Sequence, residues 1–543
     1  MQWRSSLADS NLIDALRSVA AGSVDTEPGP RLADITLRLE RASDLRALAA
    51  ALIAQHSMAL ATIVATDERA TPAGDLKVRY VFEPTSAGAP DRFLTCLVCV
   101  DANDAQLPSL TTVIPAANWH EREMRDLFGI VPVGHPDPRA LVVHDGWPQG
   151  NFPLRKDFDG SRRLPVESAE EFPHLVAEGE GVFEIPVGPI HAGIIEPGHF
   201  RFSSVGETVL HLDARLFYTH RGLEKRMEGR SPLDAFYVVE RICGACSVAH
   251  ALGYCEALEQ IAGVDAPPRS RLIRGIALEL ERLYNHVGDI GNVCAGAAFH
   301  YGTATGARLK ERLQQVNEQL SGNRFLRGLV FPGGVRLDLP VGLLGVLTST
   351  LEDTLAGLNS LMGRIESNPS VVDRFDGTGM LTHKAALDLA VAGVAARASG
   401  VNRDARRDHP HGAFASPDAP ALHVVTLADG DAMARVRVRH LEAQESIRLI
   451  GEFVRRLEPG PLRFALPEPL PGGRIGISAI ESARGEAVHW LRTDALGRVD
   501  RYHLRSPSYH NWPAVALAAE TAIVPDFPLV NKSFELCYSC TDR

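Results

Sequence analysis

Glu240-Arg241-Ile242-Cys243-Gly244-Ala245-Cys246-Ser247-Val248-Ala249-His250 holds a Cys-x-x-Cys pair, and a second lies in Cys537-Tyr538-Ser539-Cys540-Thr541-Asp542-Arg543. Nearly 300 residues separate the two. Thiolates are ligands for soft and borderline metals such as zinc, iron, nickel and copper. A zinc ribbon places its pairs roughly 15–20 residues apart, so a small zinc-clipped lobe does not suit this spacing. Pairs this distant predict instead that the two ends of a large domain meet at one buried centre. Four thiolates on one divalent ion leave a large negative charge, which a second metal or a nearby arginine must balance. Arg241, two residues before Cys243, is the candidate for that counter-charge.

Working outward, 543 residues exceed one ordinary domain, and 45% apolar with 23% charged residues is a globular composition. The net charge of −11 argues against a nucleic-acid binder. No uninterrupted apolar run reaches the ~18 residues of a membrane span, and Met1 to Ser6 lacks the apolar core of a secretory signal. The expectation is a cytoplasmic protein, or one docked peripherally on the cytoplasmic face of a membrane through partners. In such a compartment paired cysteines read as metal or redox groups rather than disulfides. A third pair, Cys96 and Cys99, sits in a strand-like run. Positions i and i+3 on a strand face opposite sides, so these read as core thiols.

The fold class read from the chain is α+β: a small N-terminal α+β domain over residues 1–165, an acidic linker over 166–182, and a large, mostly helical domain over 183–543. In the first, Asp44 to Ile53 reads as a helix, and 58–65, 76–82 and 92–100 as strands. Asn118 to Phe128 reads as a short charged helix stopped by Gly129, its charge most simply explained by solvation plus salt bridges. In the second domain, 268–288, 307–320, 341–365 and 432–457 read as helices, with Asp265 or Ser270 as candidate caps for the first. No Gly-rich nucleotide fingerprint is present, since Asp376-Gly377-Thr378-Gly379 lacks its third glycine and follows no clear strand.

Three sets of words carry a resemblance. Trp119, Glu121, Arg122, Glu123, Asp126 and Phe128-Gly129-Ile130, running on to Pro153-Leu154-Arg155-Lys156-Asp157-Phe158, closely resemble the signature of the 30 kDa-type subunit of NADH–quinone oxidoreductase, a scaffold of the quinone-side arm. Gly188-Pro189-Ile190-His191, Tyr218 to Lys225 and Arg397-Ala398-Ser399-Gly400 resemble the 49 kDa-type subunit of the same complex. R-I-C-G-x-C-x-x-x-H with a late C-x-x-C-x-x-R resembles the large subunit of [NiFe] hydrogenases. A fusion of the two types that keeps all four cysteines is similar to the catalytic subunit of the membrane-bound, energy-conserving group 4 enzymes, of the formate hydrogenlyase large-subunit type.

The resemblance implies roles. Cys243 and Cys537 correspond to terminal nickel ligands, and Cys246 and Cys540 to ligands bridging nickel and iron. The iron's CO and cyanide come from maturation factors. His250 corresponds to a hydrogen-bond donor to a bridging sulfur, although by its residue type alone it reads equally as a core histidine. Glu196 matches the family's proton-shuttling glutamate, with Pro197 inserted after it. Arg484 matches an arginine hung over the open metal position, acting electrostatically, and Asp289 is the candidate to orient it. The implied reaction is 2 H+ + 2 e− ⇌ H2. The remaining cysteines form no convincing set for an Fe–S cluster, so a [4Fe–4S] cluster is expected in a small partner subunit, beside complex I-like membrane subunits and, as electron source, formate dehydrogenase or ferredoxin-like carriers.

Two departures stand out. Glu535-Leu536 replaces the family's Asp-Pro before the second pair, and Arg543 replaces a histidine that helps hold a magnesium-type ion, which argues against that third metal. Many relatives also carry an extension trimmed after this word; a chain given to Arg543 matches either a trimmed form or a gene that encodes none. The alternative function is a non-catalytic fused scaffold that forms a quinone pocket without nickel; four retained cysteines speak against it. A Cys-x-x-Cys thiol oxidoreductase is disfavoured because neither pair sits in a thioredoxin-like βαβ context.

Overall fold

The computed structural model describes residues 7–543 except 32, 72–73, 167–171, 176, 193–194 and 521. Its N-terminal sheet has strands β1 (Val24–Pro28), β2 (Ile35–Leu39), β3 (Met58–Asp67), β4 (Leu76–Pro84) and β5 (Leu94–Val100) in the order β1-β2-β5-β4-β3. Only the β2–β5 pairing is parallel. The helix expected near residue 44 runs from Leu45 to His56. A register shift between Leu60 and Thr62 splits the β3 alternation. Met58, Leu60, Ile63 and Ala65 therefore join the core under the Leu45–His56 helix, while Ala61 and Val64 turn to the other face. There they meet Ile477, Ala479, Val488 and Trp490. The sheet is thus covered on both sides, the second time by the far end of the chain. Cys96 is buried and its thiol pushed up to about 12 by burial alone, while Cys99 is half-buried.

In the charged word after the sheet the expected ion pairing is present, but solvation is not what accommodates the charge. The word forms the Ala117–Phe128 helix, ended by Gly129 at φ 71°, and its Glu121, Arg122, Glu123 and Asp126 are buried. Three of them pin loops. Glu121 accepts from Ser109 Oγ (2.6 Å), the Leu110 amide (2.6 Å) and Thr111 Oγ1 (2.8 Å). Asp126 accepts from the Leu141 (2.7 Å) and Val142 (2.8 Å) amides. Arg122 reaches Asp137 at 2.9 Å. Buried charge persists only where it is paired or hydrogen-bonded in this way. The short strands β6 (Gln106–Pro108) and β7 (Val131–Val133) pair beside this helix.

In the span read as a linker, residues 167–171 and 176 lie outside the described residues. The adjoining residues are fastened: His174 Nδ1 lies 2.9 Å from Asp213 and the Phe172 ring 3.8 Å from the Arg215 guanidinium. Beyond it come β8 (Phe183–Val187), β9 (His199–Val205) and β10 (Thr208–Arg215). A helical body follows, built on the Pro268–Gly296, His300–Ser321, Val341–Glu366 and Ala432–Arg455 helices, with the two-residue strands β11 (Val330–Phe331) and β12 (Gly334–Val335) beside it. Pro267 caps the first of these helices; Asp265 does not, and the Ser270 hydroxyl donates to the Pro267 carbonyl instead. The Val341–Glu366 helix has the length and mean hydropathy of a membrane span. Its Leu347, Leu351, Leu358, Leu361, Met362 and Ile365 form a buried stripe, with Glu352, Asp353 and Arg364 exposed, the pattern of a bundle helix.

The large domain also holds a meander that was not expected: β13 (Ile475–Ser482), β14 (Gly485–Thr493) and β15 (Val499–Arg505). A buried ion network roots it. Arg397 bonds Glu442 (2.6 Å) and Glu481 (2.9 Å), Arg282 bonds Glu442 (2.7 Å), and Arg406 bonds Glu279 (3.0 Å) and Asp404 (2.6 Å). Arg282 also donates to the Ser482 carbonyl at 2.7 Å, which fixes the hairpin that follows.

A second set of ions joins the N-terminal sheet to the large domain. His409 lies 2.7 Å from Asp91 and 3.0 Å from Glu83, and Arg403 pairs with Glu83. Burial opposes the imidazolium, but these carboxylates outweigh it and raise His409 to about 9. A raised histidine stabilises the fold fully below its unfolded value of about 6.5, and that stabilisation is lost as pH climbs through the folded value. Thermal denaturation from pH 6 to 10 should therefore show a decline, on the order of 3 kcal/mol, that His409→Gln flattens. An unchanged pH profile in H409Q would rule the pairing out as its source.

Candidate metal centre

Cys243 and Cys246 lie in the turn between the Pro232–Val239 helix and the Ser247–Ala262 helix, with Cys246 as N-cap of the latter. Cys537 caps the short Tyr538–Asp542 helix that holds Cys540. In each pair the first sulfur is tied to its own turn. Cys243 Sγ accepts from the Ala245 amide at 3.2 Å, and Cys537 Sγ from the Cys540 amide at 3.4 Å. Amides and helix N-termini of this kind favour a thiolate.

The two turns meet. Cys243 Sγ is 3.3 Å from Cys537 Sγ, and the sulfurs of Cys243, Cys537 and Cys540 all lie within 4.8 Å of one another. Cys246 packs into the same cluster. The late segment is held there by many bonds. Asp542 accepts from the Phe217 and Thr219 amides, both at 3.0 Å, and from the Thr219 hydroxyl at 2.7 Å. Arg221 Nη2 donates to the Ile242 and Ser539 carbonyls, both at 2.9 Å, and so ties one cysteine turn to the other. Bonds from Cys246, Cys537 and Cys540 hold the Cys243 thiol far below the usual range, and donation to Cys243 pushes the other three up. Four thiolates this close repel one another and require positive charge at their centre.

Arg484 supplies part of that charge. It stands at the β13–β14 turn, where Gly485 (φ 127°) and Gly393 (φ 70°) let two backbones touch; a Cβ on Gly393 would fall 2.2 Å from the Arg484 carbonyl. Its Nη1 is 3.8 Å from Cys246 Sγ and 3.3 Å from Asn285 Oδ1, its Nε is 2.5 Å from the Glu535 carbonyl, and its Nη2 is 3.7 Å from Asp289. Burial opposes the charge, but Asp289 and the cysteines outweigh it and hold the guanidinium firmly protonated. Asp289 also faces Arg439 at 3.6 Å.

The other expected residues fall as follows. His250 Nε2 is 3.4 Å from Cys540 Sγ, and burial lowers the ring to about 4, leaving a neutral imidazole. The half-buried Glu196 accepts from the hydroxyl of Ser539, the residue between Tyr538 and Cys540. Arg241 does not serve the cluster as expected. Its side chain is 53% exposed, bonded to Glu240 (2.8 Å) and the Tyr237 carbonyl (3.1 Å). Glu535, at φ 53°, keeps the turn without the proline: its carbonyl serves Arg484 and its carboxylate accepts from Asn292.

Reading the sequence missed Arg221, Asn285 and Glu281. Asn285 Nδ2 donates to the Ala245 carbonyl at 2.8 Å. Glu281 accepts from the Val248 (2.6 Å) and Ala249 (2.9 Å) amides at the start of the His250 helix, and burial raises it to about 8. The available signal was spacing: 281, 285 and 289 form a polar i, i+4, i+8 stripe on one helix.

Two other groups of ligand-type side chains come together among the described residues: Glu83, His409 and Glu486, and Glu123, Glu224 and His503. Each already has a guanidinium. Arg403 pairs with Glu83, and Arg543 bonds Glu123 (2.7 Å) and Glu224 (3.0 Å).

The comparisons with known proteins agree with this geometry. Residues 221–289, which hold the first cysteine pair, match the nickel-dependent hydrogenase model. Residues 40–163 match the 30 kDa subunit of respiratory-chain NADH dehydrogenase, and 298–474 and 469–543 the 49 kDa subunit. The chain is 35% identical to formate hydrogenlyase subunit 5 of Escherichia coli (strain K12), over 83% of this chain and 79% of that protein. It is 32% identical to hydrogenase-4 component G of the same organism, over 98% and 92%. The chain belongs to the large-subunit family of group 4 membrane-bound [NiFe] hydrogenases. A solved chain of the membrane-bound sulfane sulfur reductase, an archaeal respiratory membrane complex, superposes with a TM-score of 0.63 at 26% identity, over 67% of this chain and 99% of that one. In this chain the N-terminal part and the helical body are thus matched by two different subunit families of the respiratory-chain NADH dehydrogenase.

Proposed function

We propose that this chain is the hydrogen-activating subunit of a membrane-associated complex, catalysing 2 H+ + 2 e− ⇌ H2. The observation that carries the reading is the convergence of four cysteine sulfurs, from turns nearly 300 residues apart, beneath the Arg484 guanidinium. The donor set suits soft metals. Cys243 and Cys537 would hold nickel terminally, and Cys246 and Cys540 would bridge it to an iron carrying CO and cyanide. When bound, the pair supplies a redox-active Lewis acid at which hydrogen is split heterolytically or formed.

The chain's own residues then have defined tasks. Arg484 balances thiolate charge and polarises whatever occupies the open side of the cluster. Asp289 and Asn285 hold its planar group in place. His250 donates to the Cys540 sulfur and tempers its basicity. Glu196 accepts and releases the proton through Ser539, its half-buried loop giving a route outward. Electrons arrive from a [4Fe–4S] cluster in a small partner subunit, seated where Gly244 and Arg241 are exposed, with complex I-like subunits anchoring the assembly at the cytoplasmic face of the membrane. Formate dehydrogenase or ferredoxin-like carriers are the electron donors this reading predicts. A quinone-pocket scaffold role without nickel is the competing reading, favoured by the match of residues 298–474 and 469–543 to the 49 kDa subunit of the respiratory-chain NADH dehydrogenase.

Metal analysis with infrared spectroscopy of the complex purified from its own host separates the two. The expected result is one nickel per chain, iron in excess of nickel by the content of the partner's cluster, and CO and cyanide stretching bands. Nickel-free complex of intact fold without those bands would sink the hydrogenase reading.

A further inference from the structure

The polar chain does not stop at His250. On β14, His489 lies with its ring 5.5 Å from that of His250, centroid to centroid. This approach depends on Gly253. A Cβ at that position would fall 2.4 Å from Cδ2 and 2.6 Å from Nε2 of His489. His250 and Gly253 are three residues apart on one helix, hence neighbours on one face. The Nε2 edge of His489 is therefore set against the helical turn that carries His250. At its other edge, His489 Nδ1 is 2.8 Å from the Tyr502 hydroxyl on β15.

Hydrogen-bond roles can be assigned along this line. Both rings are fully buried, and an imidazole in its neutral form has one donor nitrogen and one acceptor nitrogen. The buried Tyr502 hydroxyl must donate, and His489 Nδ1 is its partner among the described residues. That places the His489 proton on Nε2. His250 serves a thiolate only if its proton is on Nε2, the nitrogen 3.4 Å from Cys540 Sγ. Its Nδ1 is then a bare acceptor. His489 Nε2 and His250 Nδ1 are the two ring nitrogens of this pair that are buried without a hydrogen-bond partner among the described residues. One is a donor and the other an acceptor, and such orphans are costly unless they serve each other.

We propose that His489 and Tyr502 are positioning residues for His250: the run Tyr502 O–H, His489, His250 fixes the tautomer whose Nε2–H points at the Cys540 sulfur. A small ring rotation or one bridging water closes the middle link. Donation into His250 Nδ1 selects the Nε2–H form, as hydrogen-bond partners do for metal-ligating histidines. The inference rests on the metal reading above, with Cys540 as a bridging ligand.

The test uses the assembled complex with His489→Ala, His489→Gln, Tyr502→Phe and His250→Ala, reading nickel content, the CO and cyanide bands, and H2 evolution. H489A should keep its nickel, move the bands in the same direction as H250A but by less, and lose roughly 10- to 100-fold in rate. Tyr502→Phe should give a smaller shift of the same sign. H489Q, which keeps an N–H donor, should recover part of the band position. Bands of H489A and Y502F superimposed on wild type, while H250A shifts, would overturn the inference and leave the metal reading intact. Absence of bands from wild type overturns both. If H489A fails to assemble, Tyr502→Phe decides, since it removes a single hydroxyl.

Discussion

Serine in place of Cys540 is expected to abolish H2 turnover and strip nickel from the chain while leaving the N-terminal sheet folded. The substitution changes one atom, but three things depend on that sulfur. It shares a 4.8 Å cluster with Cys243 and Cys537, it faces His250 Nε2 at 3.4 Å, and its helix is the one Asp542 and Arg543 anchor. A hydroxyl is a hard donor that stays protonated near neutral pH, so it neither suits nickel nor bridges two soft ions. The Leu45–His56 helix and the five-stranded sheet have their own core, and their hydrogen exchange should match wild type. Dye-coupled H2 evolution and metal analysis of Cys540→Ser check the claim. Activity above background would show that Cys540 is not a ligand.

Arg484→Lys is expected to cost roughly 10²- to 10³-fold in rate with the metal retained, a loss typical of removing one electrostatic stabiliser. Charge alone does not describe what Arg484 does. Its planar group touches the Glu535 carbonyl, Asn285, Asp289 and Cys246 in four directions. A lysine ammonium is a point charge on a flexible stem and cannot span those partners together. Arg484→Met should be slower still, because it also leaves Asp289 without one of its two guanidinium neighbours. Wild-type rates in R484K would mean that positive charge by itself suffices and that the shape of the group is irrelevant.

Local pattern carried much of the architecture. Apolar periodicity located the long helices, and short apolar runs between turn residues located β3, β4 and β5, because a strand covered on both faces reads as a continuous apolar run. Caps were less readable: Pro267 starts the Pro268–Gly296 helix without a side-chain cap, and nothing in Asp265 or Ser270 reveals that. The β13–β15 meander escaped notice because its strands bury charged and imidazole side chains, among them Glu481, Glu486, His489, Arg501, His503 and Arg505, and so do not read as apolar runs. The Glu121 to Asp126 word looked like a solvated face for a similar reason. Composition cannot distinguish charge in water from charge paired in the interior.

What the sequence determined by itself was the chemistry on offer: two thiol pairs, their ligand type, and words specific enough to name a family. Cysteine spacing and residue identity are one-dimensional facts, and they survive without a fold. The family words already pointed to Arg484 as well as Arg241, but only the tertiary structure decided which of the two charges answers those thiols. Arg241 is the nearer arginine in the chain, yet it points outward to Glu240, while Arg484, 238 residues from Cys246, stands 3.8 Å from its sulfur. The physical reason is that a counter-charge acts through distance in space and through burial, which removes water as a competitor. Both are set by how the hairpin packs on the helices, by Gly393 and Gly485 that let it approach, and by the Arg282 and Arg397 network beneath it.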